Sequence, residues 1–147
     1  MSFPISYSEE FYKNVAKQHL NEDMNKFAYW NGYVVGAVCT RLEPIQEGST
    51  DQRLYIMTLA VLAAYRSREI GSQLLQSILD YCDQHKTVTE ISLHVHVHNQ
   101  DAIDFYTKKF NFRQGEMIEN YYRRVDPPNC YRLYKELSGD GAKEEKS

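Results

Sequence analysis

Glycine and proline are scarce in this chain, seven and four in 147 residues. They punctuate the sequence without repeating, which excludes collagen-like and low-complexity classes. Cysteine is scarcer still: Cys39, Cys82 and Cys130 are odd in number, widely spaced and without a C-x-x-C pair. That argues against a disulfide frame and predicts reduced thiols at small core positions of a cytoplasmic, and also nuclear, protein. No apolar run approaches the roughly 20 residues of a membrane helix. The start "MSFPISYSEE" has no basic segment followed by an apolar one, so a soluble, unexported protein with no membrane partner is expected. Positive charge is not in excess either. Seventeen Lys and Arg against twenty Asp and Glu leave a net charge of -3, which supplies no field for a nucleic-acid backbone and disfavours that partner.

Aromatic residues are plentiful. Twelve tyrosines and six phenylalanines include several in segments that read as loops, which points to a binding groove. The length suits one domain, expected over residues 1–137, followed by the polar tail "SGDGAKEEKS" (138–147), whose composition predicts disorder.

Periodicity organises the rest. "EEFYKNVAKQHLNE" has helical spacing with Ser8 as its cap. "KFAYWNGYVVGAVCTRL" places two strands around Asn31-Gly32, a tight-hairpin dipeptide. "RLYIMTLAVL" is continuously apolar and belongs in the middle of a sheet. Alternation there predicts Tyr55, Met57 and Leu59 on one face and Ile56, Thr58 and Ala60 on the other. Ile70, Leu74, Leu75, Ile78 and Leu79 mark an amphipathic helix. "EISLHVHVH" is the next strand, with Leu93, Val95 and Val97 opposite His94, His96 and His98. Asn99 caps a following helix, and strands near Arg113 to Ile118 and Tyr131 to Leu137 end the series. Strand, helix and strand around Tyr55 to Val97 imply a parallel pair, the hairpin an antiparallel one. The fold class is α/β with a mixed sheet.

Between the apolar strand and the amphipathic helix lies "AYRSREIGSQLL". A strand end, a basic turn and a helix N-terminus form a nest of backbone N–H groups suited to phosphate oxygens, to which Arg66 and Arg68 add charge. The run Arg66-Ser67-Arg68-Glu69-Ile70-Gly71 resembles the acetyl-CoA pyrophosphate loop, Q/R-x-x-G-x-G/A, of the GNAT superfamily. "FPISY", "GAVCTRL", "RLYIMTL", "LHVHVHNQDAIDFY" and "NYYRRVDP" are similar to successive segments of the NatE-type N-terminal acetyltransferases, from Phe3 to about Leu137.

The resemblance implies a GNAT-like mixed sheet with helices on both faces and acetyl-CoA as cosubstrate. It implies protein N-terminal acetylation, on peptides or nascent chains starting with Met followed by a hydrophobic residue. It also implies partners of the NatA type, a catalytic subunit and a helical-repeat auxiliary subunit. Tyr55 and His94 are then expected to act together as a water-mediated base, and Tyr106 to lie near the leaving thiolate. Leu59, Ala60 and Val61 would pair with the pantetheine arm. Arg66, Ser67, Arg68, Glu69, Ile70, Gly71 and Ser72 would hold the pyrophosphate, with Asn99 and Tyr106 completing the cofactor contacts. Phe3, Pro4 and Tyr7 on one lip, Met57 below, and Tyr121 with Tyr122 on the other lip would form the peptide groove.

The chemistry agrees with a mild base. Attack of an amine on a thioester needs that amine neutral and close, and no nucleophilic side chain. An α-amine titrates far below lysine, so its deprotonation costs on the order of 3 kcal/mol less, which disfavours lysine or small-amine acetylation. His94 is the better base by intrinsic pKa; an ordinary tyrosine would orient a water. A metal site is not expected, because His94 and His98 would stand roughly 13 Å apart on a strand and no carboxylate motif completes a ligand set.

Glu69 departs from the loop pattern. It brings a Cβ and a negative charge to a position where glycine is expected, a repulsion of roughly 3 kcal/mol at most unless Glu69 faces solvent or pairs with Arg68. The family also has a strand and a helix ahead of the segment beginning here at Phe3, so the sheet is expected to lack both. These departures leave open a cofactor-weakened or inactive homologue that serves as a binding subunit.

Overall fold

The computed structural model describes residues 25–121 and 128–137, and the backbone of 6–7. Seven strands form one mixed sheet: β1 (Ser6–Tyr7), β2 (Lys26–Trp30), β3 (Tyr33–Pro44), β4 (Gln52–Val61), β5 (Val88–His96), β6 (Arg113–Ile118) and β7 (Cys130–Glu136), in the spatial order β1-β2-β3-β4-β5-β7-β6. Two helices follow β4 and β5: α1 (Ile70–Gln84) and α2 (Gln100–Asp104), the latter continuing as a π-helical turn over Phe105–Lys109. The helix expected from Ser8 and the tail from residue 138 lie outside the described residues.

The hairpin forms at Asn31-Gly32, where both residues have positive φ, 52° and 84°. That pair of left-handed conformations matches the right-handed twist of the flanking strands. β4 and β5 are parallel and joined through α1, as the crossover rule requires. Ile70, Leu74, Leu75 and Ile78 are buried along one stripe of α1, at about 2 kcal/mol each. Cys82 joins them, and Leu79 packs beside the core half-buried. The helix lies close to β3 because Gly36 has no side chain; a Cβ there would come within 3.1 Å of Leu74 and 3.2 Å of the Ala60 carbonyl oxygen. Leu54 and Ile56 of β4, Ile91, Leu93 and Val95 of β5 and Leu133 of β7 continue the same core, which α2 joins through Ile103 and Tyr106. Cys82 and Cys130 are buried in it, Cys39 half-buried, and all three are free thiols.

One expected face assignment fails. Cys39 pairs with Thr58 and Thr40 with Ile56, which leaves Met57 as an extra, unpaired residue. This β-bulge reverses the alternation of β4. Leu59 therefore turns toward the core and leaves the face of Tyr55, while Thr58 and Ala60 are exposed. The Thr40 N–H donates to the buried Asn25 Oδ1 at 3.0 Å. The histidine row is also shorter than expected: β5 stops at His96, and the His98 N–H donates to His96 Nδ1 at 3.1 Å in the turn that follows.

Candidate active site

The ladder between β4 and β5 ends at Tyr55 and Ser92, although β4 runs on to Val61 and β5 to His96. The bulge at Met57 falls immediately beyond the last paired residue, and a bulge bends and twists the strand that carries it. The two strands part, leaving a slot between them past Tyr55 and Ser92. The stretch of β4 that β5 leaves unpaired, Leu59–Val61, lines a cleft between α1 and α2, and Tyr55 and His94 meet on the other face of the sheet.

On that face the Tyr55 Oη and His94 Nδ1 are hydrogen-bonded at 2.7 Å. Tyr121 stacks on the His94 ring with centroids 4.7 Å apart, and its Oη lies 3.4 Å from Nδ1 and 3.5 Å from the Tyr55 Oη. Burial holds the His94 pKa below the ordinary imidazole value, and the Glu43 carboxylate partly opposes this. The ring is therefore neutral at pH 7 and free to accept a proton. The Arg41 guanidinium lies 4.9 Å over the Tyr55 ring and pairs with Glu43 at 2.8 Å. Arg53, Glu90 and Arg132 extend this charged row across the sheet. Met57 is exposed beside it, its Sδ 3.7 Å from Arg41 Nη1.

On the helix side a cleft of about 520 Å³ is large enough for a cofactor. Leu59, Ala60 and Val61 line one wall, Arg66, Ser67, Glu69, Ile70, Gly71 and Ser72 another, and Asn99, Tyr106 and Lys109 a third. Ser67 and Glu69 both have φ of 67°, the left-handed conformation that costs a non-glycine residue roughly 1 kcal/mol. No side chain caps α1, so its first-turn N–H groups present a positive helix end to the cleft. Arg66 Nε donates to the Val61 carbonyl oxygen at 3.0 Å. Arg68 leans over Tyr65 at 5.9 Å and is not among the residues lining the cleft. Glu69 pairs with Lys109 at 2.9 Å, not with Arg68. Asn99 caps α2, its Oδ1 accepting from the Ala102 N–H at 3.2 Å. Tyr106 is 4 % exposed, and burial pushes its hydroxyl pKa well up, so it keeps its proton.

Phe3, Pro4 and Tyr122 lie outside the described residues, as does the Tyr7 side chain; the Tyr7 backbone pairs with Ala28. Sequence reading missed Arg41 and Lys109. The first could have been found by counting across the loop between β3 and β4 to its partner Tyr55. The second depends on the π-turn, which no periodicity announced. Among the described residues no group of His, Cys, Asp or Glu is placed to hold a metal.

The profile of the Acetyltransferase (GNAT) family matches residues 1–112. The chain belongs to the GNAT acetyltransferase family. It is 43% identical to N-alpha-acetyltransferase 50 of Danio rerio over 92% of this chain and 76% of that protein. It is 38% identical to the probable N-acetyltransferase san of Drosophila melanogaster, over 92% of this chain and 70% of that one. Among solved structures it superposes on Arabidopsis thaliana Naa50 in complex with the bisubstrate analogue CoA-Ac-MVNAL with a TM-score of 0.72 and 42% identity, covering 92% of this chain and 85% of that one. The GNAT chain is thus similar, along most of its length, to enzymes that acetylate α-amines.

Proposed function

We propose that this GNAT chain is a protein N-terminal acetyltransferase that moves acetyl from acetyl-CoA to the α-amine of peptides beginning with Met and a hydrophobic residue. The observation that carries the reading is the 2.7 Å Tyr55–His94 pair where β4 and β5 part, next to the β4 stretch that β5 leaves unpaired and that lines the α1–α2 cleft. Donor and acceptor substrates enter from opposite faces of the sheet and meet where β4 and β5 part.

The cleft suits the cofactor on its own geometry. It joins an uncapped helix N-terminus for phosphates to a strand edge at Leu59–Val61 that β5 leaves unpaired. Acetyl-CoA supplies an activated thioester carbonyl and a thiolate leaving group. Tyr55 Oη accepts the amine proton, directly or through a water, as its own proton passes to His94 Nδ1; the two act as one base. Tyr106, kept protonated by burial, holds a proton at its Oη on the cleft side, suited to a departing sulfur. Asn99 fixes the start of α2 and so the position of Tyr106. Met57 and Tyr121, exposed on either side of the slot, offer an apolar and aromatic seat for an uncharged first residue. On the same reading Phe3, Pro4, Tyr7 and Tyr122 complete that seat, and assembly with NatA-type subunits delivers nascent chains.

Incubation with acetyl-CoA and a free Met-Leu peptide, with CoA release and peptide mass as readouts, tests the proposal. Acetyl on the α-amine is the expected product. Acetyl only on the lysine of an N-terminally blocked peptide contradicts it. Glu69 favours one other reading, a cofactor-weakened homologue acting as a binding subunit, because it puts an acidic residue at the N-cap of α1. That reading predicts no release of CoA by the wild type and strong acetyl-CoA binding after Glu69→Gly.

A further inference from the structure

Glu69 is the residue most at odds with its place. It holds a left-handed backbone at the N-cap of α1, where a carboxylate would itself settle on the positive helix end and exclude a phosphate. Yet its side chain makes no cap hydrogen bond. Glu69 Oε1 lies 2.9 Å from the Lys109 Nζ across the mouth of the cleft, and both residues line that cleft. Lys109 reaches across because it ends the π-turn; its neighbour Lys108 pairs back along the helix with Asp104 at 3.5 Å. A π-turn carries one residue more per hydrogen-bonded ring than an α-turn, which redirects the side chains that follow.

We infer that Lys109 is a positioning residue of the cofactor site, acting through Glu69. Its ammonium holds the carboxylate aside and cancels its charge, so that the pair does the work of the small neutral residue a phosphate-binding turn needs. The consequence is a one-sided dependence: Glu69 without Lys109 harms the site, and the two together leave it intact. Lys109 also holds the Glu69 carboxyl below the usual carboxylate range, through its hydrogen bond and its charge, with a further contribution from Ser72. The inference rests on the reading of this cleft as the acetyl-CoA site.

Calorimetry of acetyl-CoA binding to the full chain tests it. An uncancelled carboxylate near a phosphate is worth at most about two decades in affinity before solvent screening. Lys109→Ala is expected to weaken binding about tenfold, and Lys109→Arg to restore it to within about twofold, since either cation neutralises Glu69. In a Glu69→Gly background the same Lys109→Ala change is expected to cost less than about twofold. In turnover assays Lys109→Ala should raise the KM for acetyl-CoA and leave kcat unchanged. The thermal midpoint should hold, because the pair is exposed. Equal losses in both backgrounds would mean that Lys109 serves the phosphates without Glu69, and no loss in either would mean that it serves neither; each overturns the inference while the cleft keeps its assignment. Failure of wild type and Glu69→Gly alike to bind acetyl-CoA overturns that assignment and this inference with it.

Discussion

On the proposed reading one reaction uses two ends of the site, and they are built by different means. On the Tyr55 face, side chains of adjacent strands are set by register, and the distance between Tyr55 and His94 follows from the pairing of β4 with β5 up to Ser92. At the α1–α2 cleft, the phosphate turn depends on two non-glycine residues in left-handed conformations and on an ion pair between segments 40 positions apart. Rigid neighbours hold the first end, and local compromises hold the second. On that reading, chemistry that tolerates little displacement occupies the strand-built end, and binding, which tolerates more, is left to the loop-built end.

The largest effects should separate the two ends cleanly. Tyr55→Phe or His94→Gln is expected to lower kcat about a hundredfold or more by removing the base, with acetyl-CoA affinity by calorimetry unchanged. A matching loss of cofactor affinity would erase the distinction. Next in size is Gly36→Val. A Cβ already meets Leu74 and the Ala60 carbonyl oxygen, so overpacking should cost about 1–3 kcal/mol in denaturant unfolding. Because it lifts the N-terminal end of α1, cofactor binding should weaken more than the Tyr55–His94 pair is disturbed.

Glu69→Gly should change acetyl-CoA binding by less than about threefold, since Lys109 already cancels the charge it removes and glycine adopts φ of 67° without strain. Its kcat should stay within about twofold; a change in kcat with binding constant would assign Glu69 to the chemistry. The smallest effect concerns the sign of a titration. Burial lowers the His94 pKa and the Glu43 charge raises it, so Glu43→Gln should move it further down. The base form is the one present above that pKa, so the acid limb of the rate profile should shift to lower pH. An NMR titration of His94 that moves upward instead would contradict the assigned cause.

The legible parts of the sequence were those governed by period and spacing. The apolar run Leu54 to Leu62 marked the central strand, Ile70 to Ile78 marked α1, and Asn31-Gly32 marked the hairpin. Tyr55 and His94 could be paired because Tyr55 lies before the bulge in β4 and β5 keeps its alternation through His94. Leu59 could not be placed, because one unpaired residue at Met57 reverses every later side chain in the strand. The partner of Glu69 was illegible for a related reason: a single-residue change of helical register at Phe105–Lys109 decides where Lys109 points, and no apolar periodicity encodes it. Arg68, read as a phosphate ligand from its charge and the loop pattern, has its guanidinium 5.9 Å from the centroid of the Tyr65 ring.

A crystal structure of this chain with a CoA–peptide bisubstrate analogue would test the central claim most directly. The account predicts the acetyl junction in the gap between β4 and β5, with the peptide nitrogen within hydrogen-bond reach, direct or through one water, of the Tyr55 Oη, and the phosphates at the start of α1. A junction elsewhere, or a peptide and a cofactor bound on the same face of the sheet, would contradict it.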